Sequence, residues 1–204
     1  MRKPFWLIDG KLREADFFLG RLRTTNDLDE ARFYFSAFLS AARSVTFALQ
    51  VCLKEFAAFD EWYEKRRNEL KADSAASYLH TIRNQVVHVG LNPLGVQTRN
   101  FMGLSDFFTI GANGDDRNVI TEASRYMALL VRIARDAYQQ FWANLDLSAD
   151  VTLVELAQRG ITLERLETEF GLPEGWSTGV GGDQARLDLL KGYSKTDIQR
   201  LCRL

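Results

Sequence analysis

The chain has 204 residues, a formal net charge of −1 and a hydrophobic fraction of 46%. This composition excludes global disorder, and the near-zero net charge excludes a protein that coats nucleic acid by bulk electrostatics. The two cysteines, Cys52 and Cys202, are too far apart to form a metal-binding pair, and they indicate a reducing compartment without a disulfide framework.

Neither a signal peptide nor a membrane-spanning segment is expected. The N-terminal apolar run ends at Asp9, which is too early for a signal peptide. The longest apolar stretches, Phe33–Ala42 and Ser44–Leu53, are separated by Arg43, and each falls short of the ~20 residues that span a bilayer. We therefore expect a soluble, cytoplasmic protein that contacts no membrane.

The N-terminal third predicts two helices. Lys11–Arg23 repeats apolar residues on one face, and Asn26 is a suitable N-cap for the helix that follows. That second helix carries apolar residues in steps of three and four from Leu28 to Phe56, which is an a/d pattern of about four heptads. The pattern favours a core-facing or dimer-forming surface over an aromatic ligand-binding stripe.

The third predicted helix begins at Asp60 and ends near Lys71. It carries three consecutive basic residues, Lys65, Arg66 and Arg67. Such a run is either a solvated helix face or a nucleic-acid-binding patch. We treat the three side chains as candidate substrate-binding residues.

An irregular insertion separates the first helices from the rest of the predicted bundle. Residues 95–118 are rich in glycine, and Phe107–Ile110 followed by Asn113-Gly114 predicts a short hairpin. Thr121 is the predicted N-cap of another long helix, which ends near Asn144.

The fold class expected is all-α, with a helical bundle at residues 1–145 and a small helical appendage at residues 146–204. The elements predicted in the appendage are helices at Val151–Arg159 and Leu163–Phe170, a glycine-rich loop at Gly171–Gly182, and a last helix from Ser194 or Thr196 to Leu204. Its second helix is acidic, which is the wrong sign for a helix lying in a DNA groove. A packing or partner-binding role is therefore favoured for the appendage.

The predicted helix Asp73–Val89 holds both histidines of the chain. His80, Asn84 and His88 are spaced by four residues and form one stripe, with Arg83 beside it. The two histidines are about 12 Å apart along the helix axis, so they cannot share one metal ion. The sequence also has no dinucleotide-binding or P-loop fingerprint, and we expect neither a metal nor a cofactor.

The residue types in this helix suit acid/base chemistry on a phosphodiester. A histidine, with an unperturbed pKa of ~6.5, can exchange a proton with a ribose hydroxyl, and an arginine can hold phosphoryl oxygens. RNA supplies its own nucleophile, the 2′-hydroxyl. Arg83, Asn84 and His88 are therefore a sufficient set for metal-independent RNA cleavage, while His80 is either an additional RNA contact or a packing residue.

The residues Arg83-Asn84-x-x-x-His88, set between long helices, resemble the motif of the HEPN superfamily over residues 26–145. The resemblance implies a metal-independent endoribonuclease whose motifs face each other across a homodimer, with Arg83, Asn84 and His88 as catalytic residues. It also implies a toxin or defence function and an antitoxin protein as a candidate partner.

Two alternative functions stay open. The first is a non-catalytic HEPN dimer that serves as a nucleotide- or protein-binding scaffold, because some members of that superfamily are not nucleases. The second is a structural helical protein in which Arg83 and His88 satisfy buried polar groups.

Overall fold

The computed structural model describes residues 3–90, 92–97, 107–110, 117–145, 147 and 151–198. Helices dominate these residues, which confirms the expected all-α class. The helices are α1 (Trp6–Thr24), α2 (Leu28–Leu53), α3 (Phe59–Ala72), α4 (Ser74–Asn84), α5 (Val119–Ala137), α6 (Leu153–Gln158), α7 (Leu163–Glu169) and α8 (Asp183–Ser194). π-helical turns at Gln85–Val89 and Tyr138–Trp142 extend α4 and α5, and a 3₁₀ turn at Thr178–Val180 precedes α8. The strands are β1 (Leu94–Gln97), β2 (Phe107–Ile110) and β3 (Arg117–Asn118).

The first two helices form the centre of the main core. α1 begins at Trp6, earlier than predicted, because Phe5 and Ile8 are buried and extend its apolar face. The N-cap of α2 is Asp27 and not the predicted Asn26, since the Asp27 side chain accepts the N–H of Glu30. The predicted a/d residues of α2 are buried within this chain, among them Ala31, Phe35, Phe38, Ala42, Val45, Leu49 and Cys52. They form core and are not available as a dimer seam.

α2 is also long and apolar enough to cross a membrane by length and composition, with a mean hydropathy of 1.3 in its most apolar window. Half of that window is buried inside the protein. A core helix passes the same test, and here one face packs in the core while the other carries exposed Phe33, Phe47 and Val51 besides polar residues. Arg43 interrupts the apolar run of this helix, which is why no membrane-spanning segment was predicted here.

Helix caps in the next two helices are partly as predicted. α3 begins at Phe59 after Ala58, which has a left-handed backbone (φ 66°), so the prediction of Asp60 as the cap was wrong. The cap of α4 is Asp73, one of two candidate caps together with Ser74, because the Asp73 side chain accepts the N–H of Ala76. Both helices pack on the core formed by α1, α2 and α5.

A small antiparallel sheet lies between α4 and α5, with the strand order β1-β2-β3. β2 coincides with the strand predicted at Phe107–Ile110, whereas the Asn113-Gly114 turn lies outside the described residues. β1 was not predicted. Leu94 on β1 is paired with Ile110 on β2, and both side chains are buried, so the sheet is anchored in the main core.

α5 closes the bundle. Its N-cap is Asn118, whose side chain accepts the N–H of Thr121, so the assignment of Thr121 itself as the cap was wrong. Its apolar residues at spacings of three and four are buried, namely Ala123, Met127, Leu130, Ala134 and Ala137, together with Phe141 in the π-helical turn. Helical structure ends at Trp142, close to the predicted end.

The C-terminal helices surround a second apolar cluster, which includes Leu166, Phe170, Leu187 and Leu190. α6 and α7 agree with the predicted helices, and Thr162 caps α7 as predicted. α8 was missed, and the predicted start of a last helix at Ser194 or Thr196 was wrong, because α8 ends at Ser194. Residues 199–204 lie outside the described residues. The division at residue 145 stays a prediction.

α7 and α8 are held together by a buried polar cluster around Glu167. Its carboxylate accepts hydrogen bonds from the backbone N–H groups of Gly175 and Ser177 and from the Arg186 guanidinium. Glu167 is fully buried and Arg186 is 8% exposed. Burial raises the pKa of Glu167, but these hydrogen bonds outweigh it and lower the pKa overall. The ordered turns before α8 therefore follow from a tertiary contact.

Candidate functional site

The Arg83–His88 segment lies at the end of α4, where that helix leaves the core. Ala75, Ala76, Leu79 and Ile82 bury one face of α4. Beyond Asn84 the helix changes to a π-helical turn, Gln85–Val89, in which no residue is buried. The turn ends at Gly90, whose left-handed backbone (φ 76°) lets its N–H bond the carbonyl of Gln85. The candidate catalytic residues thus lie on an accessible helix terminus, and the buried face of α4 holds that terminus in position.

The π-helical turn explains how Arg83 meets His88. In a regular α-helix these residues would lie about 140° apart around the axis. A π turn bonds residues five apart, which brings side chains at that spacing to the same side. Three valines in the segment, at positions 86, 87 and 89, crowd an α-helical turn because they are β-branched. The regular helix predicted over Asp73–Val89 did not include this turn.

Arg83, Asn84 and His88 are in direct contact. The Nη1 of Arg83 lies 3.0 Å from Nε2 of His88 and donates to Oδ1 of Asn84 at 3.3 Å. Because a guanidinium can only donate, Nε2 of His88 must be the acceptor. A hydrogen bond at this contact uses the Nε2 lone pair of His88 and belongs to the tautomer with hydrogen on Nδ1.

The surroundings of the three residues are half-open. Val87 and Val89 are 43% and 74% exposed, whereas Val86 packs against the core. Nε of Arg83 is buried and has no hydrogen-bond partner among the described residues. One side of the guanidinium is thus enclosed, while the side that carries Nη1 reaches the exposed His88.

His80 faces a different part of the molecule. It lines a cavity between α2, α3, α4 and α5 and makes no hydrogen bond to Asn84 or His88 in the described part of the chain. Burial lowers its pKa, and the nearby guanidinium groups of Arg43 and Arg83 lower it further. The predicted single stripe of His80, Asn84 and His88 is interrupted because the π turn changes the spacing.

The three basic residues of α3 are all ion-paired. Lys65 pairs with Glu61 at 2.7 Å and Arg67 with Glu64 at 2.9 Å on the helix surface. Arg66 pairs with Glu69 and Asp136 and packs over Trp62. The structure does not bring these three side chains together with Arg83 and His88, although Arg67 also lines the cavity with His80.

Two functional candidates were missed by the sequence analysis, Arg43 on α2 and Lys71 at the end of α3. Arg43 interrupts the longest apolar run, and a charge placed inside a core helix was a usable signal that we read only as an argument against a membrane span. No group of three or more His, Cys, Asp or Glu side chains that could hold a metal ion occurs among the described residues.

Comparison with known proteins finds one family model that matches residues 2–94, described as bacteriophage lambda protein ea47. The match spans α1 to α4, the π-helical turn and the start of β1, which is less than half of the chain. No curated protein matches the chain. No solved structure matches it either.

The resemblance to the HEPN superfamily is therefore wrong. The matched segment contains the Arg83-Asn84-x-x-x-His88 motif itself, and the family found there is that of phage lambda ea47. A motif of three residues in a helical setting was too short to identify a superfamily. The toxin or defence function and the antitoxin partner rested on that resemblance alone.

Proposed function

We propose that the chain is a metal-independent endoribonuclease in which Arg83 binds the scissile phosphate and His88 transfers protons. The observation that carries the proposal is the 3.0 Å contact between Arg83 and His88 on an accessible helix terminus. It places a phosphate-binding donor beside a group that exchanges protons near neutral pH. An RNA substrate and the sparse cysteines fit a cytoplasmic protein.

Phosphate binding would activate His88 by removing its present partner. A phosphodiester competes for Nη1 of Arg83, and this frees Nε2 of His88 to accept a proton. The 2′-oxygen then attacks phosphorus while its proton passes to Nε2. The P–O5′ bond breaks, and the leaving oxygen takes a proton from water or from the imidazolium. The products are a 2′,3′-cyclic phosphate and a 5′-hydroxyl, and Asn84 orients the guanidinium.

A second copy of the chain would bring a second Arg83–His88 pair into the same cleft in a symmetric homodimer. Support comes from the exposure of Val87 and Val89 beside His88, since they offer apolar contact area. Light scattering on the fractions used for the cleavage assay shows whether the species that cleaves RNA is a monomer or a dimer.

The test is cleavage of a labelled single-stranded RNA in excess chelator by wild type, His88→Gln and Arg83→Lys. Glutamine can still accept from Arg83 but cannot exchange a proton, so His88→Gln should lower the rate about 100-fold or more and retain RNA binding. Arg83→Lys should weaken both cleavage and binding, because lysine lacks the guanidinium fork. Lys195→Gln, an exposed change on the C-terminal segment, is the control and should leave the rate unchanged.

Two outcomes would overturn the proposal. Cleavage that survives both substitutions, or that also cuts a strand with 2′-O-methyl groups, would exclude the assigned chemistry. A folded protein that binds RNA without cutting it would favour the second candidate, a nucleotide- or RNA-binding module. The occupied lone pair of His88 in this structure is the observation that favours this second candidate.

A further inference from the structure

A cavity lies beside the Arg83–His88 segment. It has a volume of about 330 Å³ and lies between α2, α3, α4 and α5. Volumes of this order are typical of pockets that hold small molecules. We call it the basic cavity, because Arg43, Arg67, Lys71 and His80 all line it.

The charges of the basic cavity are unbalanced. Three permanently cationic side chains face it, and no aspartate or glutamate is among its lining residues. Arg67 has a partner outside, Glu64. Arg43 and Lys71 have no carboxylate partner within the described residues. Arg43 is half-buried and Lys71 is exposed at the edge of the cavity. Because a half-buried cation such as Arg43 is costly without a counter-charge, the cavity is suited to receive an anion from outside.

Aromatic side chains lie next to these cations. The ring of Phe47 is 50% exposed, and the Arg43 guanidinium lies 4.6 Å from its centroid. Tyr63 lines the same cavity, and its hydroxyl accepts a hydrogen bond from Gln50 at 2.8 Å. An exposed aromatic face beside an arginine is a surface on which nucleic-acid bases stack.

We propose that the basic cavity binds one nucleotide, with its phosphate against Arg43, Lys71 and His80 and its base against Phe47 and Tyr63. The nucleotide is either free or part of an RNA strand. This site goes beyond the proposed cleavage site and does not require that cleavage occur. The two are neighbours, because Arg43 and His80 also line a small recess that reaches Arg83.

The experiment is a set of calorimetric titrations of the full chain in both its wild-type and His88→Gln forms, so that binding is measured without cleavage. The probes are 5′-AMP, adenosine, inorganic phosphate and a 2′-O-methyl RNA oligonucleotide. We expect 5′-AMP to bind at least tenfold more tightly than adenosine or phosphate. Tighter binding of the oligonucleotide identifies a strand-borne nucleotide, and equal binding identifies a free one.

Substitutions then locate the bound phosphate. Lys71→Gln should weaken 5′-AMP binding about tenfold, since it removes a charge-assisted contact. The matched control is Lys54→Gln, an exposed change at the end of α2 outside the cavity lining, and it should have no effect. Phe47→Leu should weaken 5′-AMP binding more than phosphate binding.

Three results would overturn the proposal. The first is that no phosphate-bearing probe binds saturably. The second is that 5′-AMP and adenosine bind with equal affinity. The third is that Lys71→Gln and Lys54→Gln change the affinity for 5′-AMP by the same factor. If phosphate alone bound as tightly as 5′-AMP, the base contact to Phe47 and Tyr63 would be wrong. If the wild-type chain binds 5′-AMP as expected but does not cut RNA, only the nuclease proposal is rejected. The two failures are therefore distinguishable.

Discussion

Asp9 is a buried acid that should reduce the stability of this protein at neutral pH. It lies in the first turn of α1 and is 1% exposed. Its Oδ2 accepts the backbone N–H of Asp197 at 2.7 Å, while Oδ1 is buried without a partner among the described residues. Burial raises the pKa of Asp9 from 3.8 to about 6, although hydrogen bonds from Thr196 and Asp197 oppose the change.

The size of the effect follows from that difference in pKa. A carboxyl group whose pKa rises from 3.8 in the unfolded chain to about 6 in the fold costs about 3 kcal/mol of stability when ionised. Between these two values the native state binds more protons than the unfolded state. The contribution of Asp9 to the free energy of unfolding therefore falls as pH rises from 4 to 6, and it is flat above that range.

The perturbation that tests this reasoning is Asp9→Asn. The amide oxygen can still accept the N–H of Asp197, but the charge is removed. We expect the free energy of unfolding to rise by about 2–3 kcal/mol at pH 7.5 and to change little at pH 4. Asp16→Asn on the same helix is the matched control, with an expected change within ~0.5 kcal/mol.

The assay is urea denaturation followed by tryptophan fluorescence and circular dichroism at several pH values from 4 to 8. The difference between Asp9→Asn and wild type should grow between pH 4 and 6 and then stay constant. A loss of stability of the same size at pH 4 and pH 7.5 would refute the reasoning, because Asp9 would then act through its hydrogen bond and not through its charge.

Two further predictions concern the buried polar cluster and the π-helical turn. Glu167→Gln removes the buried carboxylate that accepts the N–H groups of Gly175 and Ser177, while Arg186 keeps its 2.7 Å pair with Glu164, and it should destabilise the protein by about 2 kcal/mol in denaturant unfolding, whereas the exposed Glu174→Gln should not. Gly90→Ala places a side chain at φ 76° and should cost about 1 kcal/mol, whereas Gly10→Ala, in mid-helix with nothing within 4 Å, should stabilise by a similar amount. Equal effects of the two glycine substitutions in thermal unfolding would contradict the assigned backbone strain.

Much of the helical framework was predictable from sequence because its determinants are local. The steps of three and four along α2 placed Phe35, Phe38 and Leu49 on one face, and the structure buries all three. Asp73 caps α4 through an N–H three residues away, so a short segment carries all the information needed. At α5 the same local signal was misassigned to Thr121, whereas the Asn118 side chain accepts the Thr121 N–H.

The Arg83–His88 contact could not be predicted from a pattern that assumes a regular α-helix. Its residues were identified as candidates, but the π-helical turn that joins them depends on where α4 leaves the core. The positive φ of Gly90 ends that turn. The sequence therefore identified Arg83 and His88 as candidates, and the backbone geometry at the end of α4 brings their side chains into contact.

Sequence by itself determined the helical class, most helix positions and the residue types available for chemistry, because periodicity and capping act over a few residues. Only the tertiary structure decided which residues that are far apart in the chain lie close together in space. The basic cavity joins Arg43 of α2 with Lys71 of α3 and His80 of α4, and Asp9 of α1 meets the backbone of Asp197. Such neighbours are set by the packing of whole helices, so burial, charge balance and pKa at these sites follow from the fold.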